Sequence, residues 1–562
     1  MTKQYITPIP NSLQLEWMNR EKSAFFHFGI NTFTGKEWGD GTEDTMVFNP
    51  SSLDCRQWIR TIKKAGFTAA IITAKHHDGF CLWPTKYTDF SIKNSPYKNG
   101  NGDIVREFVD ACNEYGIKPG IYVSPWDRHS KVWNTPQYND YFVNQLHELL
   151  ENYGKIYEIW WDGAGSANAA YDFERWVFTV RSLQPECFIF SSGKGIRYSD
   201  GRWSGNEAGT VSSDCWATLS SDEVYSGTVK NITVGDKYGD LFKSAEADVS
   251  CRPGWFYHDY QDKYSKTAEQ ILYIWFNSCG KNASMLFNIP PDKNGRICET
   301  DERNIVEFGD VLRNTFSVNL ISEAEIKVSD TTECITNAEN VLSDDKRIYF
   351  AAMDNDWCEL TFLLDKPCEF DCFTLCEKPE MGYMLEGYEL YAKSGGEMKK
   401  ISEGQSVGYR RAEYFDDLKA DELLLRVKPR DRKLCISQFG IYKLSKKPKN
   451  SAVVYEDSGN MTETSDVSIN GNEILINLGG IFPYNTIIMD GTGIEEYEIH
   501  TFNGAVWDYE ATVKNPSETE KTVIRNITWS YQLKIVITKG VWNGIYPEVY
   551  YKRSRNVLDL CD

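Results

Sequence analysis

Between residues 20 and 315 two apolar patterns alternate along the chain. Short continuous apolar runs predict strands buried on both faces: Ala24–Ile30, Phe67–Ala74, Pro119–Val123, Ile156–Trp161, Cys187–Phe190 and Ser284–Ile289. Between them lie segments of helical period: Leu53–Ala65, with Trp58, Ile59 and Ile62 on one face, Asp103–Tyr115 with Asp103 as N-cap, Tyr138–Tyr153, Phe173–Leu183, Thr267–Cys279 and Glu302–Asn314. The pattern loosens between about 200 and 255. Strand–helix units repeated over this length predict a (β/α)8-like barrel. No Gly-x-Gly-x-x-Gly follows the first strand, which removes a dinucleotide-binding sheet. A barrel of this kind carries its chemistry at the C-terminal ends of its strands. His27, His76, His77, Ser124 and Asp162 end or follow predicted strands.

After residue 318 the texture changes. Short alternating runs, Trp357–Leu363, Glu369–Leu375, Tyr388–Ala392 and Leu423–Val427, read as antiparallel strands of a β-sandwich. Lys446-Lys447-Pro448-Lys449-Asn450 reads as a linker, and Glu473–Asn477, Tyr497–Phe502 and Leu533–Ile537 as strands beyond it. The expected division is a barrel over 1–318, a sandwich over 319–446 and a β-rich domain, again sandwich-like, over 451–562.

Composition narrows the function. A net charge of -20 argues against nucleic acid or an anionic membrane as partner. The 15 cysteines show neither C-x-x-C pairs nor a compact framework. The N-terminus has no apolar signal region, and no apolar run approaches the ~20 residues of a membrane span. The expectation is a soluble cytoplasmic protein. Of the 17 tryptophans, 13 precede residue 280. Most serve a core equally well, but aromatic faces also stack on pyranose rings.

Trp160-Trp161-Asp162-Gly163 and Gly205-Asn206-Glu207 place two carboxylates in this aromatic, histidine-rich half. Glycosidic cleavage needs one group to protonate the leaving oxygen and another to meet the charge at the sugar carbon. Asp162 fits that task or, as well, an N-cap for the next helix. Gly163 would leave room for a substrate. Glu207 sits in a loop, where carboxylates are ordinarily solvated, and Glu246-Ala247-Asp248 offers a second acid; residue chemistry alone does not choose between them. His76 and His77, on opposite faces of an extended strand, would not share one metal ion. Neutral imidazoles suit sugar hydroxyls. No serine elbow, P-loop or H-E-x-x-H is present, and neither metal nor organic cofactor is called for.

Phe26-His27-Phe28-Gly29, Ala74-Lys75-His76-His77-Asp78-Gly79-Phe80-Cys81-Leu82-Trp83-Pro84, Gly120-Ile121-Tyr122-Val123-Ser124-Pro125-Trp126-Asp127 and Trp160-Trp161-Asp162-Gly163 resemble, in that order, glycoside hydrolase family 29, the retaining α-L-fucosidases. The resemblance implies Asp162 as nucleophile. Gly205-Asn206-Glu207, Arg252-Pro253-Gly254-Trp255-Phe256-Tyr257-His258 and Phe287-Asn288-Ile289-Pro290-Pro291-Asp292 look like the branch acting on α-1,3 and α-1,4 linkages, which implies Glu207, rather than Glu246, as acid/base. By the same resemblance His27, Trp38, His76, His77, Tyr122 and Trp255 would line a fucose pocket, the substrate would be a fucosylated oligosaccharide, and residues 320–445 would be a discoidin-like sandwich. A barrel glycosidase of another sugar specificity, or a sugar-binding protein without catalysis, are the competing readings.

Overall fold

In a computed structural model the described residues are 8–166, 168–451, 458–502 and 507–552. Eight parallel strands form the N-terminal sheet: β1 (Lys22–Phe26), β2 (Ala69–Lys75), β3 (Lys118–Val123), β4 (Glu158–Trp161), β5 (Phe188–Ser191), β6 (Arg202–Trp203), β7 (Ala245–Ser250) and β8 (Ala283–Asn288). They pair in the order β5-β4-β3-β2-β1-β8-β7-β6. The sheet is a barrel closed except at the β5/β6 seam. There Asp200 stands in for a ladder: its N–H donates to Ile189 O at 2.8 Å and its Oδ2 accepts from Ile189 N at 2.7 Å.

The helices form where periodicity and caps agree. Cys55–Lys64 starts at Asp54, whose carboxylate accepts from Gln57 N, and buries Trp58, Ile59 and Ile62 while Lys63 and Lys64 occupy its last turn. Each such aliphatic side chain taken from water contributes about 1.5–3 kcal/mol. Ile104–Tyr115 is capped by Asp103 and stopped by Gly116 in the left-handed region. Inside the barrel Gly120 is a matter of space: a Cβ there would lie 2.8 Å from Ile71 and 3.2 Å from Glu158.

The loosened stretch after residue 200 contains two barrel strands. β6 is two residues long, and β7, Ala-Glu-Ala-Asp-Val-Ser, is fully buried although it carries two acids. Each acid meets an indole. Trp160 Nε1 donates to Glu246 Oε1 and Trp203 Nε1 to Asp248 Oδ1, both at 2.8 Å. Below them Arg20 Nη1 donates to Glu158 Oε2 at 3.1 Å. Burial pushes the Glu246 and Asp248 carboxyls well above the usual range. An indole donor satisfies an oxygen without supplying charge, so the protonated form persists.

The second sheet is antiparallel and wraps one apolar core that includes Phe350, Leu360, Phe373, Leu425 and Phe439. Its long strands, Cys358–Glu377 and Arg411–Pro429, change register at 363/368 and 370/372, where bulges bend them. Sandwich and barrel meet through Phe276 and Tyr414, Phe316 and Tyr442, and the half-buried ion pair of Arg410 with Glu21 at 2.6 Å. The expected linker at 446–450 is held against both: Lys449 N donates to Glu269 O, and Lys447 Nζ pairs with Asp371 at 2.6 Å.

A third, antiparallel sheet is built on Glu473–Met489, Ile494–Phe502, Trp507–Lys514 and Glu520–Gly540, around Ile474, Ile487, Tyr497 and Ile535. By backbone contacts the chain forms two compact units, Met1–Gly29 with Asp44–Ser451, and Ile30–Glu43 with Ala452–Asp562. Among the described residues no helix is long and apolar enough to cross a membrane.

Candidate active site

Seven of the eight candidate residues lie in the first unit, on the ends of the barrel strands or the loops that follow them. Asp162 follows β4. Its Oδ2 accepts from the Tyr122 hydroxyl of β3 at 3.1 Å, and its Oδ1 accepts from Ala164 N at 2.8 Å. That second bond closes a turn, not a helix; the next helix, Phe173–Leu183, is capped by Asp172. Burial and the Asp162 charge hold the Tyr122 phenol well above its ordinary range, so it remains a donor. Gly163 differs from the expectation that it makes room for substrate. A Cβ there would lie 2.6 Å from Ser192 Oγ, so the missing side chain serves the packing of the loops after β4 and β5.

His76 and His77 also depart from strand geometry. β2 ends at Lys75, whose ammonium points outward to Asp127 and Gln145, each at 3.0 Å. The chain then turns, Asp78 accepting from Phe80 N at 2.7 Å, and the two imidazoles come side by side with centroids 4.1 Å apart. His27, after β1, lies 5.6 Å from His76, and Phe256 packs edge-on against both. Trp255 completes the wall, 5.0 Å from His27.

The hydrogen-bond network assigns the tautomers. Asn288, at the end of β8, donates through Nδ2 to Ser250 Oγ and Trp255 O, so its Oδ1 is the acceptor for His27 N and for His27 Nδ1 at 2.9 Å. His27 Nδ1 therefore carries the proton and Nε2 is the acceptor. Ser124 gives its one proton to Trp126 O, so its oxygen accepts from His77 Nδ1 at 2.8 Å. His77 Nε2 is then an acceptor as well, and it faces Asp162 Oδ2 at 3.7 Å. Burial pushes His27 down to about 3 and, against the pull of Asp162, His77 down to about 4; burial lowers His76 as well. His76 Nδ1 is a buried polar atom with no hydrogen-bond partner in the protein.

Glu207 stands exposed on the loop after β6, turned by Gly205 and Gly209, both in the left-handed region. The indole Nε1 of Trp255 donates to its Oε2 at 3.1 Å. Asp248 is the residue that joins the two candidate carboxylates, since after burial the charges of Glu207 and Asp162 help to hold its proton on. Glu246 belongs lower in the barrel, against Trp160 and near Glu158. Arg252, three residues before Trp255, is buried, pairs with Asp301 and Asp262 at 2.7 Å each, and lies 4.5 Å from the Tyr257 ring. Asn288 and Trp203 carry no site signal of their own in the sequence, whereas Ser124 stands at an expected strand end and Asp248 belongs to the alternative acid cluster. Trp38, half-buried after the short helix Ile30–Thr34, is the one candidate in the second unit. Among the described residues no cluster of His, Cys, Asp or Glu could hold a metal ion.

The site thus offers one carboxylate held by a phenol, a second held by an indole, and neutral imidazoles presenting acceptors between aromatic walls. The α-L-fucosidase family profile matches residues 7–315. The Arabidopsis thaliana protein α-L-fucosidase 1 is 37% identical over 450 residues, covering 78% of this chain and 88% of its own. A Ruminococcus gnavus fucosidase of glycoside hydrolase family 29, solved in complex with fucose, is 31% identical with a TM-score of 0.73, covering 79% of this chain and 97% of its own. A glycoside hydrolase 29 family member from an unknown rumen bacterium is 30% identical with a TM-score of 0.69, covering 96% of this chain and 97% of its own. On the barrel, the site it carries and these likenesses, the chain belongs to the α-L-fucosidases of glycoside hydrolase family 29.

Proposed function

We propose that this α-L-fucosidase removes terminal α-1,3- and α-1,4-linked L-fucose from short oligosaccharides with retention of configuration. Asp162 attacks the anomeric carbon while Glu207, protonated, gives its proton to the departing oxygen. The fucosyl ester on Asp162 is then opened by water that Glu207, now a carboxylate, deprotonates. The Tyr122 phenol steadies the Asp162 carboxylate before attack and its leaving oxygen afterwards.

The observation that supports this reading best is the meeting of acceptors at Asp162. His77 Nε2 and Asp162 Oδ2, 3.7 Å apart, suit a sugar hydroxyl that donates beside the attacked carbon. His76, whose Nδ1 makes no hydrogen bond within the protein, suits a second hydroxyl, and the ring face of the half-buried Trp255 suits the apolar side of a deoxysugar. The fucose bound in the Ruminococcus gnavus relative supports the same substrate here.

The test is fucose release from a 3-fucosylated N-acetyllactosamine trisaccharide and from 2′-fucosyllactose, side by side, with Asp162→Ala as control. Release from the trisaccharide alone, abolished in the variant, is expected. Equal release from both removes the linkage assignment, and full activity of the variant removes Asp162 from its role.

A further inference from the structure

The segment Ser204–Cys215, which carries Glu207, is bonded along its length by two different parts of the molecule. The barrel holds its first half. Ser204 N donates to Glu246 O at 2.9 Å, Gly209 N to Asp248 O at 3.1 Å and Val211 N to Asn277 O at 2.9 Å. The β-sandwich holds its second half. Asp214 Oδ1 accepts from the backbone N–H groups of Gln405 and Ser406, both at 2.9 Å. Ser406 Oγ accepts from Cys215 N at 2.9 Å, and the buried Arg411 donates to Ser213 O.

Asn282, in the left-handed region at φ 64, ties the two halves together just before β8. Its Nδ2 donates to Cys215 O at 3.0 Å, while its Oδ1 accepts from Tyr409 N at 2.8 Å and from the Tyr383 hydroxyl at 3.1 Å. The sandwich turn is cut to admit that amide. A Cβ on Gly408, itself at φ +64, would lie 2.2 Å from Asn282 Oδ1.

We propose that the sandwich turn 405–411 positions the acid/base carboxyl, with Asp214 as the positioning residue that couples sandwich to Glu207. The inference rests on the reading of Glu207 given above. An exposed carboxyl is placed only as well as its loop is placed, and Glu207 is the exposed point of a loop that the barrel holds at Ser204, Gly209 and Val211 and the sandwich holds further on, at Ser213, Asp214 and Cys215. Two backbone donors on one carboxylate oxygen make a charge-assisted anchor of defined direction. Releasing it leaves the C-terminal arm of the loop dependent on the single backbone bonds at Gly209 and Val211. A displacement of about 1 Å at a reacting group costs on the order of 10²-fold in rate. Mere bracing of the barrel would affect all steps alike, whereas positioning of Glu207 affects proton transfer.

The experiment compares the full-length Asp214→Ala, Ser406→Ala, Asp214→Asn and Glu207→Ala variants on two substrates. One is a fucosylated oligosaccharide, whose leaving alcohol needs a proton. The other is an aryl fucoside of a strongly acidic phenol, which departs without one, its first step read from the phenol burst. Asp214→Ala is expected to lose about 10- to 100-fold in kcat/KM on the oligosaccharide and less than about 3-fold in the aryl burst rate. Asp214→Asn, which keeps an acceptor oxygen, is expected to recover most of the loss. Glu207→Ala is expected to show the same contrast in stronger form. If Glu207→Ala shows no contrast, the acid/base assignment falls. If Glu207→Ala shows it but Asp214→Ala loses equally on both substrates, or on neither, the positioning role falls. Should Asp214→Ala fail to fold, Ser406→Ala, which removes one hydroxyl acceptor, decides by the same contrast.

Discussion

The hydroxyl of Tyr122 donates to Asp162 Oδ2 at 3.1 Å, across the ends of neighbouring strands β3 and β4. Tyr122 lies in β3 opposite Trp160 of β4, and Asp162 is the first residue after β4, so the register of the two parallel strands brings the pair together. Removing the donor by Tyr122→Phe keeps the ring and its stacking on Trp160. A hydrogen bond to a charged group is worth about 1.5–3 kcal/mol, so kcat is expected to fall roughly 10- to 100-fold. Steady-state kinetics on the trisaccharide measures it, and an unchanged kcat would contradict the role.

Trp255 has two tasks, stacking beside His27 and donating to Glu207. Trp255→Phe separates them. Oligosaccharide turnover is expected to fall about 10-fold through the lost donor. Inhibition by free fucose is expected to change less than about 3-fold, because an aromatic face remains. Loss of fucose binding with normal turnover of bound substrate would reverse the assignment.

The imidazoles of His27 and His77 are held neutral by burial, at about 3 and about 4. Fucose affinity of the Asp162→Ala protein, measured by calorimetry, is therefore expected to stay level from pH 8 to pH 5. A decline through pH 6 to 7, where an ordinary histidine titrates, would show that they bind sugar as exposed groups do.

Glu246 carries a proton affinity raised by burial, so the sign runs opposite to that of an ordinary surface acid. Its favourable contribution is complete below the unfolded value near ~4.3 and is lost as pH rises toward the folded value. Glu246→Gln keeps an acceptor for Trp160 Nε1 and removes the titration. Chemical unfolding should find the variant more stable relative to wild type at pH 8 than at pH 5. The difference should grow by up to about 1.4 kcal/mol for each pH unit between the two values. An equal difference at both pH values would mean that Glu246 is ionised in the fold.

Much of this architecture was legible in the chain because its strands announce themselves by apolar runs. β2, Ala-Ala-Ile-Ile-Thr-Ala-Lys, is buried on both faces as its composition implies. β7 was not legible, for a physical reason. Its buried acids are satisfied by indoles from β4 and β6, partners invisible until the barrel closes, so a core strand reads as a polar loop. The strand rule also misplaced the histidine pair, since β2 ends one residue before His76 and the turn at Asp78 brings both rings to one side. Asn288 carried no signal of its own. It matters through four hydrogen bonds to residues far away in sequence. The anchoring of the Glu207 loop by Asp214 depends on a sandwich turn some 190 residues later.

The central claim is that Asp162 forms the bond to the sugar, and trapping tests it most directly. A 2-deoxy-2-fluoro-fucosyl fluoride slows both steps of a double displacement but slows release more, so the fucosyl-enzyme accumulates. Peptide mass mapping of the inactivated protein should find one fluorofucosyl group, on Asp162, and none after Asp162→Ala. A label on Glu207 or Asp248, or complete turnover without any covalent adduct, would contradict the account.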